Sequence, residues 1–154
     1  TTNQSSEDQK VYLQIIAFNS SSDYLFKDGP RELTIENKVK ALSFLDSLIA
    51  EGENIDPWND ICSALESELV GHIILLSASI PSRIEGNCVG TEGQYAEIIN
   101  DYNRITRSKT PSGSLIIDSI SLFHNFCELS KNYDKNNWLG LISSGDESIC
   151  THIK

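Results

Sequence analysis

The first ten residues, rich in Ser, Thr, Gln and Asp, carry no apolar rhythm and read as a flexible tail; the pattern begins at Val11. Val11 to Phe18 is a β-branched and aromatic run, almost continuously apolar toward its end, which predicts a strand covered on both faces. Asn19 to Ser22 predicts a turn, and Asp23 to Lys27 a short edge strand before the Asp28-Gly29-Pro30 turn. From Thr34, a candidate N-cap, the residues Ile35, Val39, Leu42, Leu45 and Ile49 recur at helical spacing, with Gly52 as the expected stop. Asp56-Pro57 predicts a second helix start, a capping carboxylate followed by proline at the first helical position, with Trp58, Ile61, Leu65 and Leu69 along one face.

His72 to Ser77 is a short apolar run of the buried parallel-strand kind. Thr91 with Gln94 three residues on matches a capping box, and Tyr95, Ile98, Ile99, Tyr102 and Ile105 form the stripe of a third helix that Pro111 to Gly113 breaks. Leu115 to Ile120 predicts a strand, and Leu122 to Tyr133 a helix with Phe123, Phe126, Cys127 and Leu129 inward. Trp138 to Ile142 predicts a last strand, with one more helix beginning after Gly145. Strands alternating with helices predict an α/β fold: three layers, with a mostly parallel sheet flanked by helices, as a single domain over 11–154 behind a tail over 1–10.

Composition narrows the function. Twelve basic against 22 acidic residues give a formal charge of -10, which disfavours nucleic acid and anionic membrane surfaces. The longest apolar runs, Ile15 to Phe18 and Ile73 to Leu76, fall far short of the roughly 20 residues a spanning helix needs, so the chain reads as soluble, without membrane insertion. Arg104, Arg107 and Lys109 read as a solvated helix end, where cations oppose the helix dipole favourably. The absence of Met and a first residue of Thr predict an excerpt or processed product, so the compartment stays open. Cys62, Cys88, Cys127 and Cys150 lack zinc-knuckle or redox spacing; they fit either disulfides or small buried hydrophobes. Asn3-Gln4-Ser5 and Asn19-Ser20-Ser21 match the glycosylation triplet.

Several phrases, taken with the order of elements, resemble the later two thirds of a von Willebrand factor A domain. The resemblance lies in Ile15-Ile16-Ala17-Phe18-Asn19-Ser20-Ser21, Ala50-Glu51-Gly52-Glu53-Asn54-Ile55-Asp56-Pro57, Ala64-Leu65 and Leu75-Leu76-Ser77-Ala78-Ser79, spanning Val11 to Gly145. In that family a divalent cation sits between three loops that supply oxygen ligands. Here the second loop's Thr falls on Ile55, the third loop's Asp falls on Ala78, and the first loop is missing, although Asn19, Ser21 and Asp23 mimic its spacing. The resemblance therefore implies no metal and no cofactor. It implies a binding rim at the C-terminal ends of the parallel strands: Asn19, Ser21, Asn54, Asp56, Trp58, Ser79, Arg83 and Asn87. It also implies a missing central strand, so that either Val11 to Phe18 pairs directly with His72 to Ser77 or another chain fills the gap.

Catalytic signatures are weak. No Gly-x-Ser-x-Gly elbow is present, and His72, His124 and His152 read as structural or solvated. Trp58 and Trp138 read as core residues that would anchor an interface if exposed. The glycine-rich stretch Gly86 to Gly93, expected as a loop at a helix start, is the one place where free amides would hold an anion. The reading is a non-catalytic module that binds another protein or peptide. The alternative is an α/β enzyme or sensor holding a nucleotide or phosphate at Gly86 to Gly93.

Overall fold

The computed structural model describes residues 10–49, 54–110, 113–122, 127, 137–143 and 149–153. The chain forms two compact units, Thr1–Gly52 and Glu53–Lys154.

In the first unit the predicted strand over Val11 to Phe18 is two short pieces, β1 (Tyr12–Leu13) and β2 (Ile16–Phe18), neither buried on both faces. Gln14 breaks the run: its Oε1 accepts the Phe26 amide at 3.1 Å and its Nε2 donates to the Phe26 carbonyl at 2.6 Å, doing with a side chain what a backbone ladder would do. β2 pairs antiparallel with β3 (Ser22–Tyr24), and β1 with β4 (Arg31–Glu32). Helix α1 (Ile35–Ser47) starts as predicted, Thr34 Oγ1 accepting the Asn37 amide at 3.2 Å. It ends at Ser47 with Leu48 as C-cap; Gly52, the expected stop, lies outside the described residues. Its stripe is not buried: Ile35 is 82% and Leu42 63% exposed, and Ala41 is the only buried residue of the helix.

The second unit opens with α2 (Trp58–Glu66), which buries Trp58, Ile61 and Leu65. Pro57 is its N-cap and no side chain caps it, because the Asp56 carboxylate turns to pair with Arg83. Leu69 lies past the helix end and is exposed. Strand β5 (His72–Ser77) forms where predicted. The stretch expected as a loop folds into a hairpin, β6 (Glu85–Cys88) with β7 (Thr91–Gln94), around Val89 and Gly90, both at positive φ (51° and 80°). Two consecutive left-handed residues make a turn that matches strand twist, so Thr91 starts a strand and not a capping box. The helix waits for Gln94 as N-cap: α3 (Tyr95–Asp101) runs on into a π-helical turn over Tyr102–Thr106 and a 3-10 turn over Arg107–Lys109. Its stripe buries Tyr95 and Ile99 but leaves Ile105 exposed.

Strand β8 (Ile116–Leu122) follows, then α4 (Trp138–Ile142) and β9 (Cys150–Ile153). The last two reverse the expected types. Trp138-Leu139-Gly140-Leu141-Ile142 is continuously apolar, and such a run has no period to separate strand from helix. Gly140 fixes the packing of α4, since a Cβ there would lie 2.7 Å from the Cys127 carbonyl oxygen. The helix predicted over Leu122 to Tyr133, including Phe123, His124, Phe126 and Leu129, lies outside the described residues, apart from Leu122 in β8 and Cys127. β5, β8 and β9 make one parallel sheet in the order β5-β8-β9. The fold is thus mixed α/β, with a three-stranded parallel sheet and four α-helices among the described residues.

The core of this unit is aromatic. Trp58 stacks on Tyr95 with ring centroids 5.0 Å apart and meets Trp138 edge-on at 5.6 Å; both tryptophans are fully buried. The four cysteines pair as Cys62–Cys88 and Cys127–Cys150. Arg107, expected in solvent, is buried: its guanidinium donates to the carbonyls of Ala64 (3.1 Å), Leu65 (2.5 Å), Ser67 (3.0 Å) and Val70. Carbonyls at and just beyond a helix end lack a full set of helical donors, and a planar fork of N–H donors matches them better than water can in a buried setting. Burial pushes the guanidinium pKa down, and the nearby Glu68 carboxylate counteracts this.

Candidate functional site

The pairing of β5 with β8 fixes which way each backbone group of β5 points. The Ile116 amide donates to the Gly71 carbonyl at 3.0 Å, and the register runs from His72↔Ile116 to Ser77↔Ser121. Backbone polarity alternates along a strand, so Gly71, Ile73, Leu75 and Ser77 turn their N–H and C=O toward β8, while those of His72, Ile74 and Leu76 point to the outer edge. That edge pairs with no strand among the described residues.

Side chains alternate as well. Leu75, Ser77, Ile117, Ser119 and Ser121 share the buried face of the sheet, where Ser119 Oγ lies 2.5 Å from Ser143 Oγ. On the opposite face Ile74 is 69% and Leu76 52% exposed, beside half-buried Ile120 and Leu122 and exposed Ile153. A polar pair closes one end of this face: His72 Nε2 lies 2.9 Å from Asp118 Oδ2, and Asp118 Oδ1 accepts the Ile149 amide at 2.8 Å. The expectation that β5 would be covered on both faces is therefore wrong for one face. The signal was an unbroken apolar run, and an unbroken run does not reveal an unfilled side.

The predicted rim residues fall into separate groups. Asn19 and Ser21 belong to the β2–β3 turn of the first unit, where the Ser21 amide donates to Asn19 Oδ1 at 2.9 Å. They line an open groove of about 950 Å³ together with Phe18, Tyr24, Phe44 and Leu48. In the second unit, Asn54, Asp56, Trp58 and Arg83 come together. The Ile55 amide donates to Ser82 Oγ at 2.7 Å, the Ser82 amide donates to the Ile55 carbonyl at 2.7 Å, Asp56 pairs with Arg83, and Trp58 Nε1 donates to the Arg83 carbonyl. This clamp holds the 54–58 segment to the 82–83 segment, and full burial of Trp58 removes it as a contact residue. Ser79 bonds locally, its amide donating to Ser77 Oγ at 3.3 Å and its carbonyl accepting from the same hydroxyl at 3.0 Å. Asn87 is exposed on β6, across from Glu92.

The glycines of the 86–93 stretch have structural uses. A Cβ on Gly86 would fall 2.0 Å from the Tyr95 ring, so the missing side chain makes room for the aromatic that stacks on Trp58. Gly90 and Gly93, at φ 80° and 140°, occupy backbone conformations of the hairpin that other residues adopt at a cost. No group of three or more His, Cys, Asp or Glu side chains is placed to hold a metal ion among the described residues. No helix among the described residues is long and apolar enough to cross a membrane. No known protein family matches the chain, and neither a curated protein nor a solved structure is significantly similar to it.

Proposed function

We propose that this chain is a non-catalytic protein-interaction module of the von Willebrand factor A type with a degenerate metal site, and that it takes an extended segment of a partner onto the outer edge of β5. The supporting observation is that edge itself: outward backbone groups at His72, Ile74 and Leu76, with two aliphatic side chains standing in solvent above it. Proteins that keep such an edge unpaired blunt it with lysine, proline or a bulge. β5 reads His-Ile-Ile-Leu-Leu-Ser and has none of these. Val11 to Phe18, one of two candidates for the neighbouring strand, pairs with β3 and β4 of its own unit; the other candidate, a strand from elsewhere, is the one taken here. A three-layer arrangement, with the exposed sheet face covered, belongs to the same reading.

The partner segment is extended, carries aliphatic residues at alternate positions to cover Ile74 and Leu76, and is neutral or basic, because the chain carries a formal charge of -10. The test uses a fluorescent synthetic peptide of alternating Val and Thr flanked by Lys, titrated into the purified chain. Saturable binding that Ile74→Pro abolishes is expected, with the melting temperature of the chain nearly unchanged, because proline there removes an outward N–H and leaves the β8 ladder intact. Equal binding to both proteins, or none at millimolar peptide, rejects the reading.

A further inference from the structure

We propose that Asn19 carries an N-linked glycan, acquired as the chain passes through an oxidising secretory compartment. Two independent observations meet at this residue. The first is redox. All four cysteines are paired, closing separations of 26 and 23 residues. Reducing cytosol keeps thiols free, whereas oxidising compartments form and maintain such bridges. A chain with no thiol left over belongs with secretory-pathway proteins, and that pathway is where asparagine triplets are modified.

The second observation is the geometry of the triplet. Asn19-Ser20-Ser21, with no proline at its centre, is one of two such triplets in the chain; the other, at Asn3, lies outside the described residues. Asn19 and its successors form the turn between β2 and β3, with Ser20 and Ser21 exposed. The Ser21 amide donates to Asn19 Oδ1 at 2.9 Å, and the Asn19 amide donates to the Ser21 carbonyl at 2.9 Å. The side chain and the hydroxyl-bearing residue are folded onto one another in an Asx turn. The strand pairing ends at Phe18↔Ser22, so a bulky group at the turn displaces no rung of the ladder. Surface turns are where such a bulky, solubilising group is accommodated.

The chemistry is a group transfer from a polyprenyl-diphosphate-linked oligosaccharide. Nδ2 of Asn19 forms a bond to the anomeric carbon of the first sugar while the bond from that carbon to the diphosphate oxygen breaks. The amide gives up one proton, the lipid diphosphate leaves, and nothing is oxidised or reduced.

The test expresses the full 154-residue chain behind a cleavable signal peptide in a eukaryotic secretory host. Secreted and retained fractions are both treated with peptide N-glycosidase in heavy-oxygen water, and the Asn19 peptide is read by mass spectrometry. Asn3→Gln removes the other triplet and isolates Asn19. An enzyme-sensitive mass shift in Asn3→Gln is expected, with Asn19 converted to labelled Asp. Asn19→Gln or Ser21→Ala added to Asn3→Gln removes the shift, and Ser21→Thr keeps it. An Asn19 peptide that enters the pathway and is recovered wholly unmodified in both fractions overturns the proposal, whatever happens at Asn3.

Discussion

Helices α1 and α2 carry apolar stripes of the same kind and meet opposite fates. In α1, Ile35, Val39, Leu42 and Leu45 stand in solvent; in α2, Trp58, Ile61 and Leu65 are buried. The support each helix receives differs in range. α1 is held by neighbours in sequence: Thr34 at its N-terminus and a Glu36–Lys40 ion pair one turn apart. α2 is held from far along the chain by Tyr95 stacked on Trp58, by the bridge from Cys62 to Cys88, and by Arg107 on its last carbonyls. The comparison teaches that an amphipathic period marks a face that gains from cover without saying whether the same chain supplies it. Among the described residues, α1 and the outer side of β5 are two places where such cover is missing.

The comparison breaks most visibly at Trp58. Trp58→Ala is expected to cost about 3–5 kcal/mol in denaturant unfolding, because it empties the centre of an aromatic cluster. A loss below about 1 kcal/mol would put α2 on the same footing as α1, since surface changes cost that little. Arg107→Lys comes next, at about 2–3 kcal/mol by the same measurement, since one ammonium cannot serve four carbonyls and leaves buried acceptors unpaired. Lysine behaving like arginine would mean that water reaches the end of α2.

Leu42→Ala should lie within about 0.5 kcal/mol of the parent, as an exposed position does. A cost of about 2 kcal/mol or more, the range for a buried leucine, would show that the α1 stripe is covered in solution. The smallest effect is electrostatic. The hydrogen bond from Lys40 and its charge hold the Glu36 carboxyl below the usual carboxylate range. A lowered folded-state value stabilises above the unfolded pKa and loses that contribution as pH falls through the folded value. Protection of the amides in the first turns of α1, taken relative to intrinsic exchange at each pH, should therefore fall on acidification below the ordinary carboxylate range. Glu36→Gln should abolish that dependence, and a Gln variant that keeps it would assign the effect to another group.

Much of the architecture was legible in local chemistry. Thr34 caps α1, His72 to Ser77 is a strand, and Trp58 and Trp138 are core. The errors cluster where local signals are shared by two structures. Thr91 and Gln94 satisfy a capping-box pattern, yet Val89 and Gly90 turn the chain into a hairpin first. The segment 138–142 has no period at all, and 150–153 was short enough to read as the beginning of a helix although it completes the sheet. The site was legible in its parts and not in its assembly. Asp56 and Arg83 both belong to the rim that the resemblance implies, but their pairing with each other and the burial of Trp58 are decided by the fold.

By itself the sequence determined the class of the fold, the starts of α1 and β5 and the identity of the core tryptophans, because each rests on spacing or composition within a few residues. Only the tertiary structure decided that four cysteines form two bridges, that Arg107 is a buried donor, and that the outer edge of β5 pairs with no strand among the described residues. Those facts depend on which distant groups meet. A residue's own character limits its partners but does not choose among them until burial removes water as the alternative.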